Sequence, residues 1–78
     1  MTKREKLLER IKRSPHNVTF TDIRKLLESE SFVLDRITGS HHVFRKGDIV
    51  FAIPVHQNRV KVVYVKRVIE IIEEHGQS

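Results

Sequence analysis

Apolar residues in the first third of the chain recur at intervals of three and four; from Phe32 they recur at intervals of two, and beyond Arg59 the spacing lengthens again. Leu7, Leu8 and Ile11 form one stripe of a helix running from Lys3 to about Arg13. Ser14-Pro15-His16-Asn17 ends it, because a proline disfavours helix at the residue before it. A second helix carries clear start signals. Thr19 is its cap, Asp22 occupies the capping-box position, and Val18 and Ile23 fit a hydrophobic staple. Its core face is Ile23, Leu26 and Leu27.

The period of two predicts strands at Phe32–Ile37, His41–Lys46 and Ile49–Val55, with Thr38-Gly39-Ser40 as the first turn. Arg59–Val65 is rich in β-branched residues and by composition suits a fourth strand. Tyr64, Val68, Ile71 and Ile72 instead follow helical spacing, and Gly76 suits a helix C′ position. A helix from about Val62 to Glu74 is the reading adopted. The class is α+β: two helices, a three-stranded antiparallel sheet, and a closing helix.

Pairing fixes which side chains share a face. Gly47-Asp48 is the natural two-residue loop between the second and third strands. Phe44 then lies opposite Phe51, and His42 opposite Ile53. Phe44, Ile49, Phe51 and Ile53 form the core face. His41 shares the other face with Val43, Arg45, Pro54 and His56, and a one-residue change in loop length would reverse the assignment.

Seventy-eight residues allow one small domain and exclude a large multi-substrate enzyme. The chain has no cysteine, which removes disulfides, thiolate zinc sites and cysteine nucleophiles and is compatible with a reducing compartment. No apolar run is long enough for a membrane span or a signal-peptide core. The net charge is +5, and its distribution matters more than its size. Residues 31–67 hold seven Lys and Arg against Asp35 and Asp48, whereas residues 68–78 hold three Glu and no Lys or Arg. A basic middle points to a polyanion, nucleic acid first; ordinary solubilising charge is the plainer explanation. Asp35 and Asp48 fit solvated or Arg-paired carboxylates better than a catalytic pair.

There is no Gly-rich phosphate loop, no paired acids at a useful spacing and no histidine metal array, so no metal or other cofactor is expected. Histidine remains. His16 and His75 fall in a linker and at a helix end; His41, His42 and His56 fall in the basic middle. An imidazole titrates near neutrality and suits RNA cleavage, where the substrate's 2′-hydroxyl is the nucleophile. The protein then needs a base, a proton donor and cations for the phosphorane charge. His41 and His42 point to opposite faces and do not converge on one phosphate. The register nominates His41 and makes His42 a half-buried structural residue, although strand histidines are more often structural than catalytic.

Arg36-Ile-Thr-Gly39-Ser40-His41-His42-Val-Phe44 resembles the Gly-Ser-His segment of HicA-like toxins, the RNA-cleaving partners of bacterial toxin–antitoxin pairs. The resemblance extends over roughly residues 18–74. It takes in Phe20-Thr-Asp-Ile-Arg-Lys-Leu-Leu27, Phe32, Ile53-Pro54-Val55-His56 and Val62-Val-Tyr64-Val-Lys66-Arg67. It implies a double-stranded-RNA-binding-like α-β-β-β-α domain over residues 18–78, with residues 1–17 as an N-terminal helical extension, together one compact domain. It also implies a cytoplasmic mRNA-cleaving enzyme, a HicB-like antitoxin covering the His41 region, and no membrane partner. The family's catalytic histidine follows Gly-Ser, which is His41 here. His42 is the reserve candidate, because some members place a residue between Gly-Ser and their histidine. Gly39 and Ser40 form the turn that lets the backbone approach. Charge and face, not the family, nominate Arg45, Lys46, Arg59, Lys61 and Lys66 for RNA phosphates. The competing function is a non-catalytic RNA-binding or partner-binding module on the same fold, and a basic face for an acidic protein is the plainest.

Overall fold

The computed structural model describes residues 2–75. Helix α1 spans Lys3–Arg13, a short 3-10 turn Pro15–Asn17, and α2 Phe20–Ser29. Strands β1 (Val33–Thr38), β2 (His41–Lys46) and β3 (Ile49–Pro54) follow, and α3 (Val62–His75) closes the chain. The fourth strand that composition allowed is absent among the described residues: Arg59 makes only isolated bridges with Thr19 and His56. Gly76 lies outside the described residues, and with it the proposed C′ position.

The caps explain where α2 begins and ends. Thr19 Oγ1 accepts the Asp22 backbone N–H at 3.2 Å, while the Asp22 carboxylate takes a 2.8 Å hydrogen bond from Arg10 of α1. At the other end Phe32 N–H donates to the Leu27 carbonyl and Ser31 N–H to that of Glu28. Ser31 itself has φ 72°. This is a Schellman closure, and it is why Phe32 caps the helix and β1 starts one residue later than its apolar pattern suggests.

The three strands form an antiparallel sheet in the order β1-β2-β3. The β2–β3 pairing sets Phe44 against Phe51 and His42 against Ile53, around a Gly47-Asp48 loop. Gly47 takes φ +59°, so the conformational freedom of glycine is used at the first loop position. The β1–β2 pairing sets Thr38 against His41, leaving Gly39-Ser40 as the whole turn, with Gly39 at φ +60°. Thr38 is therefore strand, not turn.

One sheet face packs on the helices. Phe44 and Ile53 are buried there with Ile11, Ile23, Leu26, Leu27, Val65 and Val68. An aromatic row crosses this layer: His42 on Phe20 (centroids 4.4 Å), Phe20 on Phe44 (6.0 Å), Phe44 on Phe51 (6.1 Å) and Phe51 on Phe32 (5.4 Å). On the opposite face, Val33 and Val50 are 56% and 51% exposed. Among the described residues no helix covers that side.

Candidate functional site

β2 sorts its side chains by alternation. His42, Phe44 and Lys46 fall on the helix side; His41, Val43 and Arg45 fall on the open side. His41 is exposed and flanked by Thr38 of β1 and Pro54 of β3. Arg45 lies two steps along the same face and reaches the Asp35 carboxylate at 3.4 Å. Asp35 also lies 3.7 Å from the Arg36 guanidinium.

The residues around His42 form a different environment. Its Nδ1 donates to the Ser40 carbonyl at 3.1 Å, which also accepts the Val55 N–H at 2.8 Å. A carbonyl can only accept, so Nδ1 carries a proton and, in the neutral ring, the lone pair lies on Nε2. Phe20 holds the ring from one side. His42 is half-buried, yet its β1 partner Ile37 is 55% exposed, so the helix layer ends at this rim.

The remaining basic candidates do not gather in one place. Lys46 is half-buried on the helix side, its Nζ 5.6 Å from the Phe32 ring centroid. Arg59 donates to Asn17 Oδ1 at 3.1 Å. Lys61 precedes α3, and Lys66 lies on the exposed side of that helix, away from buried Val65 and Val68. Of the two strand candidates, Arg45 shares the His41 face and Lys46 does not.

Sequence reasoning missed the tight turn at His56–Arg59. Gln57 and Asn58 both have positive φ, 51° and 62°, and His56 and Arg59 exchange backbone hydrogen bonds at 2.9 and 3.1 Å. Two left-handed residues in a two-residue loop are the I′ arrangement. Asn58 also accepts the Phe20 N–H at 2.9 Å, tying this turn to the start of α2 and so to the ring that braces His42. Among the described residues no three His, Asp or Glu side chains gather as a metal site, and no helix is long and apolar enough to cross a membrane.

A helix, three antiparallel strands and a closing helix, with paired histidines opening the central strand, define a small α+β domain with one open sheet face. A family model described as the HicA toxin of bacterial toxin–antitoxin matches residues 20–75. The chain belongs to the HicA toxin family. α1 precedes the matched region. No curated protein and no solved structure matches the chain.

Proposed function

We propose that this protein is the mRNA-cleaving toxin of a toxin–antitoxin pair, an endoribonuclease that needs no metal and uses His41 as its general base. The observation that carries the reading is the placement of His41: an exposed imidazole on an uncovered sheet face, with arginines on that face. The substrate's 2′-oxygen attacks the adjacent phosphorus while its proton passes to the imidazole. The P–O5′ bond then breaks, the 5′-oxygen takes a proton from water, and the imidazolium returns its proton to the hydroxide. Family membership supports the toxin role. The partner is a HicB-like antitoxin that covers the His41 face, and both act in the cytoplasm.

Digestion of an mRNA transcript by purified protein in excess chelator tests this. Wild type should cleave, and His41→Ala should lose about 10²–10⁴ in rate, the worth of one general acid–base group. An inactive wild type that still binds RNA would support the non-catalytic module instead.

One observation favours a second reading. The Ser40 carbonyl fixes the tautomer of His42 and Phe20 fixes its ring, the kind of support a catalytic imidazole needs. If His42 is the base, folded His42→Ala is inactive and His41→Ala keeps its rate.

A further inference from the structure

The β1–β2 register slips between Leu34 and Arg36. Leu34 pairs with Phe44, but Val43 pairs with Arg36 and not with Asp35. In a regular ladder Arg36 would sit opposite His42 on the helix side. The extra residue, Asp35, turns Arg36 onto the open face, beside Thr38 and diagonal to His41. Bulges re-aim side chains in this way and are over-represented beside active sites.

We propose that Arg36 is the cation that holds the non-bridging oxygens of the scissile phosphate while His41 takes the 2′-hydroxyl proton; this rests on His41 being the base. Distance separates Arg36 from the other arginine on the face. A diagonal cross-strand neighbour is about 7–8 Å away, within reach of one shared phosphate. Arg45 stands four residues along β2 from His41, about 13 Å at strand rise, and serves a neighbouring phosphate. The Arg36 side chain is two-thirds exposed (66%), and its fork can meet two phosphate oxygens at once. Asp35 is the internal counter-ion: with Arg36 and Arg45 it leaves the trio at +1, so the arginines are held in place without being neutralised.

Single-turnover cleavage of an mRNA transcript in chelator, at saturating protein, separates this role from simple binding. Arg36→Ala should keep its melting temperature and cleave about 10²-fold more slowly even at saturation, as when one preorganised charge donor is removed. Arg36→Lys should recover part of the rate, keeping the charge but losing the fork. If His41→Ala is inactive while Arg36→Ala matches wild type at saturation, the assignment of Arg36 is wrong and that of His41 stands. If folded His41→Ala cleaves at the wild-type rate, the base assignment fails, and the role of Arg36 falls with it.

Discussion

Two adjacent histidines on one strand face different surroundings, and the difference sets opposite expectations for their removal. His41 touches solvent and the strand neighbours Thr38 and Pro54, so His41→Ala should leave the thermal midpoint within about 2–4 °C of wild type, as exposed substitutions cost within about 0.5 kcal/mol. His42 packs at a tilt against Phe20 and donates to the Ser40 carbonyl. His42→Ala should cost about 1–3 kcal/mol, combining a lost aromatic contact with a lost hydrogen bond. Calorimetric melts of both variants check this, and equal midpoints would mean that the Phe20–His42–Ser40 cluster carries no stability. The opposite facing of the two histidines was legible in the sequence, because a two-residue Gly47-Asp48 loop fixes the β2–β3 register. The position of Arg36 was not. Leu34-Asp35-Arg36 contains neither glycine nor proline to announce a bulge. The slip becomes visible only when Leu34 against Phe44 and Thr38 against His41 must both be satisfied.

The elements are held by local chemistry whose weak points are testable. Ser31 closes α2 in the left-handed region at φ 72°, a conformation that costs a residue with a Cβ about 1–2 kcal/mol. Ser31→Gly should therefore raise stability by up to about 1 kcal/mol, seen as a melting temperature several degrees higher; a lower midpoint would contradict the Schellman account. Thr19→Ala should lower stability by about 1 kcal/mol through loss of the cap on Asp22 N–H. Helix α1, outside the family match, is tied to this core by Ile11 and by charge pairs. Glu30, 5% exposed at the C-terminal cap of α2, sits where the helix dipole disfavours an acid and is paired with Arg4. Removing that partner leaves a buried carboxylate unsatisfied, so Arg4→Ala should cost about 1–3 kcal/mol in urea unfolding. Lys12 bonds Glu73 of α3 at 2.7 Å, and that hydrogen bond, with the carboxylate's charge, raises its pKa above the ordinary 10.5. With Glu73 ionised, the tie is therefore complete below pH 10.5 and is lost as pH climbs through the raised value. The Thr19 cap and the helix count were legible because they rest on neighbours in the chain. The Gln57-Asn58 turn was not, since it lacks the glycine that announces a I′ loop; Asn58 tolerates the left-handed region, and the surrounding bonds to Phe20 and Arg59 hold the turn.

Across the whole molecule the positive charge divides between different surfaces. Arg36 and Arg45 share the open sheet face with His41, Lys46 lies on the helix side, and Lys66 points out from α3. A basic middle read along the sequence is thus spread over more than one surface, because alternation in β2 and the turn of α3 send neighbours to opposite sides. RNA binding by the His41→Ala protein should report the division: Arg45→Ala should flatten the salt dependence by about one phosphate's share, a slope change of about 0.7 for a single strand, and Lys66→Ala should leave it unchanged. Equal flattening by both would place RNA across α3 as well. The central claim, that RNA is processed on the uncovered face of the sheet, is tested most directly by methyl NMR of the wild-type protein with a 2′-O-methyl RNA, which lacks the nucleophilic hydroxyl and cannot be cleaved. The account predicts that the methyl signals of Val33, Val43, Val50 and Ala52 move on titration while those of Val63 on α3 stay in place. Movement confined to Val63 and the α3 surface, with the sheet methyls unchanged, would contradict it.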